Sequence, residues 1–170
     1  MPSARGVAVN PFVVRSEEAE HVPLPAGAGM RLLADAADTA GAVGANLLRL
    51  AAGADGAGPH HHSRSTEVFY VLDGAVRFRL RGADGDRAET VGAGGLVVVP
   101  PGTVHAFGAA PGRAAELLVL LTPGVDRFGY FRALGRVRRG EEPFEVLLGE
   151  QDRYDVHFAA AAPPLDRQSD

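Results

Sequence analysis

The chain has 170 residues, a net charge of −4 at neutral pH and 46% hydrophobic residues. That length supports one domain with a full core, and the absence of a basic footprint excludes nucleic acid as an expected partner. All seventeen basic side chains are arginine and cysteine is absent. Lysine Schiff bases, disulfides, thiolate catalysis and thiolate metal ligation are therefore excluded. Met1 to Gly6 leads into a short mixed segment without a signal-peptide pattern, and no apolar run reaches the length of a membrane span. The expectation is a cytoplasmic protein without a membrane partner.

Val7 to Arg15 reads as a strand, edge-like or bent at Pro11. Ser16 to Gly29 reads as a polar connection. Met30 to Leu33 reads as a short strand, Ala34 to Gly44 as a small-residue loop, and Asn46 to Ala52 as a better strand. Gly53 to Pro59 reads as a glycine-rich turn that delivers the chain to His60. Val68 to Leu72 is β-branched and aromatic, a strong strand signal, and Asp73-Gly74 is a hairpin signal. From Ala75 to Arg81 the residues alternate. Val76, Phe78 and Leu80 share one face, while Arg77, Arg79 and Arg81 form a solvated one. Gly82 to Asp86 is a loop tip, Arg87 to Val91 a short strand, Gly92 to Gly95 a turn, and Leu96 to Val99 a buried strand. Val104 to Gly108 carries His105. Glu116 to Thr122 is the last strong strand, closed by Pro123-Gly124.

After this the texture changes. Val125, Phe128, Phe131 and Leu134 fall at helical spacing, with Arg127, Arg132, Arg136, Arg138 and Arg139 placed mostly elsewhere around the turn. An amphipathic helix over 125–139 is predicted, with Asp126 near its start and Gly140 as its stop. Glu145 to Phe158 adds a short helical or extended piece, and Asp155 to Phe158 packs on the body. Ala159 to Asp170 reads as a tail. Many short strands with Gly and Pro turns predict an all-β barrel or sandwich. The whole chain is read as one domain, with a barrel core over about 43–123, a helical extension over 125–158 and a tail over 159–170.

Chemistry concentrates at two places. His60 and His62 are two apart, so an extended segment puts both imidazoles on one face and turns His61 away. Glu67 opens the apolar run that follows, and His105 comes after the rigid Pro100-Pro101-Gly102 turn. Three imidazoles and a carboxylate suit one divalent transition metal ion: Fe, Ni, Mn, Co, Cu or Zn. Without thiolates a closed structural zinc site is not expected. The same four residues also read as a polar cluster without metal. Glu67 can serve as a general base as well as a ligand. Phe69 shares the face of Glu67, Phe107 that of His105, and Phe78 comes from a neighbouring strand. They read either as plain core or as an apolar cup for a flat aromatic or polyketide-like substrate with vicinal oxygens. His21 and His157 read as solvated or packed histidines.

His60, His62, Glu67 and Gly74 meet the pattern HxH, four residues, E, six residues, G. Gly94, Pro100, Gly102 and His105 meet the pattern G, five residues, PxG, two residues, H. Together these resemble the two signature motifs of the cupin superfamily. Two positions depart from the family pattern. Ala109 stands where an Asn is common, and Ala54 where a Gly is usual, with Gly53, Gly56 and Gly58 around it. Neither position is a metal ligand. The resemblance implies a double-stranded β-helix, a jelly-roll barrel, with the metal on His60, His62, Glu67 and His105, a helix after the barrel and a homodimer. The Glu-Val-Phe-Tyr-Val-Leu run, Arg127-Phe128 and the closing Asp152 to Phe158 resemble bacterial single-domain quercetinase-like dioxygenases. That resemblance implies dioxygenation of a flavonol-like or other enol-bearing substrate bound to the metal, with O₂ as co-substrate and Glu67 as base. Two alternatives stand beside it. One is a non-oxidative cyclase, isomerase or decarboxylase acting on a polyketide-like intermediate. The other is a binding module without turnover.

Overall fold

A computed structural model describes residues 10–160 of the chain. Ten strands are described: β1 Glu20–Pro23, β2 Gly29–Ala34, β3 Gly44–Leu50, β4 Asp55–His61, β5 Thr66–Gly82, β6 Gly85–Gly92, β7 Leu96–Val99, β8 His105–Ala109, β9 Ala115–Thr122 and β10 His157–Phe158. Three short helices follow the ninth strand: α1 Phe128–Arg138, α2 Glu145–Leu148 and α3 Gln151–Tyr154. All the strand pairings described are antiparallel. The architecture is the expected all-β jelly roll with a short helix after it.

β5 joins the two halves of the sheet. Its first part, Thr66–Gly74, pairs with β9 and β7. Its second part, Ala75–Gly82, pairs with β6 and β8. The strand order β1-β2-β3-β9-β5-β8-β4-β10 therefore runs continuously through this one segment. Asp73-Gly74, a hairpin signal in the sequence, marks a corner inside β5 and not a reversal. Gly74 has φ +73°, and a Cβ there would run into the Ala114 carbonyl, so the bend depends on glycine. The pairing with β9 slips between Val71 and Asp73. The slip changes which parity faces inward: Glu67, Phe69 and Val71 are buried before it, Val76 and Phe78 after it. Both halves thereby keep an apolar inner face.

The core lies between the curled halves. Phe69, Val71, Val76, Phe78 and Leu117 are fully buried there, with Leu50, Val99 and Leu121 close behind. Phe128, Phe131 and Leu134 of α1 lie against this core, and Tyr130 joins a second cluster with Leu147 and Val156. The predicted apolar stripe thus divides between two packing surfaces.

Several local expectations are corrected. Residues 7–9 of the predicted first strand lie outside the described residues, and residues 10–15 form no strand. β1 arises instead within the segment read as a connection, where Pro23 is tolerated because the strand is at the sheet edge. Gly53 to Pro59 is not only a turn. From Asp55 it forms β4, bulged against β8 on both sides of Ala57. β7 is half exposed, with Leu96 and Val98 facing out. The arginine row of β5 faces out as expected, but it lines a groove of about 570 Å³ together with Arg87 and Arg138. Among the described residues no helix is long and apolar enough to cross a membrane.

Candidate metal centre

His60 sits near the end of β4 directly opposite His105 at the start of β8. His62 follows β4 by one residue, and Glu67 is the second residue of β5, opposite Val99 and Leu121. Three strands and one tight connection therefore bring together residues that are far apart in sequence. All four side chains are buried, and one ligand atom from each lies within 4.8 Å of the others.

The orientation of each imidazole is set from behind. The His60 Nδ1 lies 2.8 Å from the Gly58 carbonyl, and the His105 Nδ1 2.9 Å from the Thr103 carbonyl. The His62 Nδ1 meets the Asp155 backbone carbonyl. A carbonyl can only accept, so each Nδ1 carries the proton and donates it. Each Nε2 is then left as a lone pair. Two of them point at the same carboxylate oxygen: Glu67 Oε2 is 3.0 Å from His62 Nε2 and 2.8 Å from His105 Nε2. In the neutral imidazoles these are acceptors facing an acceptor, an arrangement that a shared cation resolves. The donor set of three imidazole nitrogens and one carboxylate fits a divalent transition ion.

The ionisation states agree with that fit. Burial, and then repulsion from His105, push His60 down to about 3, so it stays neutral. Burial alone would push the Glu67 carboxyl up. Wherever His105 and His62 present an N–H or positive charge, their contacts outweigh it and hold Glu67 well below the usual carboxylate range; with both Nε2 atoms as lone pairs, a bound cation would take over that role.

Asp155 anchors the site from the far end of the chain. It has φ +52° at the end of α3 and no exposed surface. Its carboxylate accepts from the Ser63 amide at 2.8 Å, the Ser63 hydroxyl at 2.5 Å, the Arg64 amide at 3.0 Å and the Ser65 amide at 3.2 Å. These bonds hold the loop between His62 and Glu67. The next residues, His157 and Phe158, pair with His61 and His60 on β4. His61 turns away from the cluster, as its position predicts, and stacks on His157 with ring centroids 5.0 Å apart.

Phe69, Phe78 and Phe107 form one ring cluster with centroid separations of 5.2, 5.0 and 5.9 Å. Phe69 lies 6.0 Å from the His105 ring. Phe69 and Phe78 are fully buried, whereas Phe107 is partly exposed.

Arg127 was placed by the sequence on the polar side of the helix, and the structure puts it inside. It is 5% exposed, and its Nη1 lies 3.9 Å from Glu67 Oε1. The signal for this was present: Arg127 stands three residues before Tyr130 and four before Phe131, on the inward side of α1. Asp155 had no such signal, because nothing in its local sequence reveals the loop it holds.

Residues 46–121 match the family model of the cupin domain. Among curated proteins none matches the chain. Solved structures of the same fold include KdgF from Halomonas, at 22% identity over 64% of this chain and 92% of that one, with a TM-score of 0.53. Streptomyces Pac13, a nucleoside dehydratase solved with uridine, is 19% identical over 69% of this chain and 86% of its own, with a TM-score of 0.53. Oxalate decarboxylase of Lactobacillus farciminis, in a formate complex, is 16% identical over 74% of this chain and 37% of its own, with a TM-score of 0.59. At these identities the likeness is one of fold. The fold, the two motifs and the family model agree that residues 46–121 form a cupin domain.

Proposed function

We propose that this protein is a metal-dependent cupin enzyme. In this reading His60, His62, Glu67 and His105 hold one divalent transition ion, and the substrate is a small molecule with an acidic hydroxyl. One observation carries the reading: three buried imidazoles are each fixed at Nδ1 by a backbone carbonyl, and two of them turn Nε2 toward one carboxylate oxygen, with a ligand atom of all four residues within 4.8 Å of the others. A bound ion would supply Lewis acidity and a place for substrate and O₂ to meet. Glu67 takes the proton from the substrate hydroxyl. Its Oε2 faces the imidazoles and its Oε1 faces Arg127, so it is ionised and within reach of a second partner. Phe107, the partly exposed ring of the aromatic cluster, is the surface assigned to the flat part of the substrate, with Phe69 and Phe78 behind it.

The reaction proposed is dioxygenation of a flavonol-like or other enol-bearing substrate, in which both atoms of O₂ enter the product and no external reductant is consumed. The support is the resemblance around Glu67 to Leu72 and at Arg127-Phe128. A second reading, a non-oxidative cyclisation, isomerisation or decarboxylation, is favoured by the ionised Glu67, which can move a proton without any oxidant. The deciding experiment is O₂ uptake with a flavonol panel, on protein loaded separately with Fe, Mn, Co, Ni, Cu and Zn. Uptake stoichiometric with product supports the oxygenase. Turnover of the panel without O₂ supports the second reading. No turnover on either, with full metal occupancy, favours a binding module. The homodimer is part of the proposal, supported by the exposed apolar row Tyr70, Leu72, Leu96 and Val98. A monomer mass by light scattering would remove it.

A further inference from the structure

Arg127 carries a buried charge that the metal centre does not use. Its Nε and Nη1 have no hydrogen-bond partner among the described residues. The 3.9 Å separation from Glu67 Oε1 is an ion-pair distance, too long for a hydrogen bond. Buried donors on a charged group are seldom left open in native proteins.

The guanidinium is also held in place. Asp35 accepts from the backbone amides of Arg127 at 2.6 Å and Phe128 at 3.1 Å. The Arg127 carbonyl accepts from the Phe131 amide at 3.0 Å. The Tyr130 and Phe131 rings lie 5.4 and 5.1 Å from the guanidinium carbon, within cation–π range. Tyr130 does not neutralise the charge, because burial pushes its hydroxyl up to about 12 and it stays a neutral phenol.

Charge counting gives the missing partner its sign. Three neutral imidazoles, one carboxylate and a divalent ion sum to a single positive charge, and Arg127 adds another. Glu67 is the only anion shared between them among the described residues of the cluster. The charge count leaves the combined centre short of an anion, and the open guanidinium donors lie on the Oε1 side of Glu67.

We propose that Arg127 is a substrate-binding residue that receives an anionic oxygen, so that the natural substrate is a small organic anion bound between the metal and the guanidinium. This rests on the metal-enzyme reading above. It narrows that reading to substrates that bind as a carboxylate or an ionised enol, and gives α1 a direct part in recognition.

The test uses full-length wild type, Arg127→Gln and Arg127→Lys. Each is first titrated with Co(II), read by the visible absorption of the bound ion. Each Co(II)-loaded protein is then titrated with acetate and with acetamide, two ligands of similar shape that differ in charge. The expected result is Co(II) affinity within about 3-fold of wild type for Arg127→Gln, acetate bound at least about 10-fold more weakly, and acetamide unchanged. The acetate loss corresponds to one charge-assisted hydrogen bond. Arg127→Lys, which keeps the charge, recovers part of the acetate affinity, and it carries the comparison if the Gln variant does not fold. Equal acetate affinity in wild type and variant would overturn the proposal and leave Arg127 as a partner of Glu67 alone. Failure of wild type to take up Co(II) would instead remove the metal reading. Acetate is then tested by thermal shift on the metal-free proteins, where a shift in wild type that is absent in Arg127→Gln upholds the anion site and equal shifts reject it.

Discussion

In the proposed function Glu67 does two things, and its neighbours differ at its two oxygens. Oε2 lies against His62 and His105, while Oε1 faces Arg127. Glu67→Gln keeps an oxygen for coordination but removes the negative charge and the proton acceptor. Metal affinity should fall about 10-fold, and turnover by about 100-fold or more, the usual worth of a general base. Elemental analysis beside steady-state rates separates the two, and equal losses would reduce Glu67 to a ligand. His60 makes a second prediction, about acid. Its folded-state value of about 3 lies below the ordinary 6.5. Between these values the unfolded chain binds a proton that the folded site rejects. The stability that His60 contributes is therefore complete above about 6.5 and is lost progressively as pH falls toward 3. Glu67 and Asp155 also have lowered values, so their contributions are lost at still lower pH and in the same direction. Thermal melts of metal-free protein from pH 7 to pH 4 should show a falling Tm, and His60→Gln should flatten the upper part of that slope. A wild-type Tm flat from pH 6.5 to pH 4 would mean that the imidazole is not held neutral by the fold.

At the scale of elements, the site depends on a segment far from the signature motifs. α3 ends on Asp155, whose carboxylate holds the Ser63–Ser65 loop and whose carbonyl orients His62. Asp155→Ala leaves the buried Ser65 amide and the partly buried Ser63 and Arg64 amides without an acceptor, at about 1–3 kcal/mol for the buried one and less for the others. It should destabilise the fold by about 3 kcal/mol and lower metal affinity about 10- to 100-fold, the usual effect of losing the group behind a ligand. Asp155→Asn tolerates the left-handed backbone and keeps one acceptor oxygen, so it should lose less of both. Denaturant melts and Co(II) titration read the two effects, and wild-type affinity in the Ala variant would show that the carbonyl needs no anchor. The corner of β5 is a similar dependence on one residue. Gly74→Ala combines a positive φ with a clash against the Ala114 backbone, at a cost of about 3 kcal/mol or more. The Asp-Gly pair was legible as a turn, yet a turn and a strand corner carry the same local signal. What distinguishes them is the continuation of pairing into β8 and β9, which is a property of the assembled sheet. Alternation, by contrast, was legible in the second half of β5, where Val76, Phe78 and the outward arginines fall where their parity puts them; in the all-apolar run of β7 it was not. Arg127 was misplaced because arginine is exposed by default, and only tertiary packing makes the exception.

Over the whole molecule, the four candidate ligands were readable because their spacing is a local property of two short segments. The groups that hold them, Asp155 and the carbonyls of Gly58 and Thr103, were not. The barrel brings together β4, β5, β8 and the C-terminal segment, and in doing so buries two Nε2 lone pairs against a carboxylate. An ion that satisfies these atoms binds the folded chain far better than the unfolded one, so binding and stability are linked. At a free ion concentration 100 times Kd the gain is about 2.7 kcal/mol, which for a chain of this length is a rise in Tm of about 5–10 °C. Protein stripped with a chelator and back-titrated with Co, Ni, Zn, Mn and Fe(II) should show saturable increases of that size. His62→Ala and His105→Ala should abolish most of the increase while leaving the metal-free Tm lowered by a few degrees only. The ion response carries the contrast, because a polar cluster that takes no metal predicts no rise in Tm with any ion, in wild type or in either histidine variant.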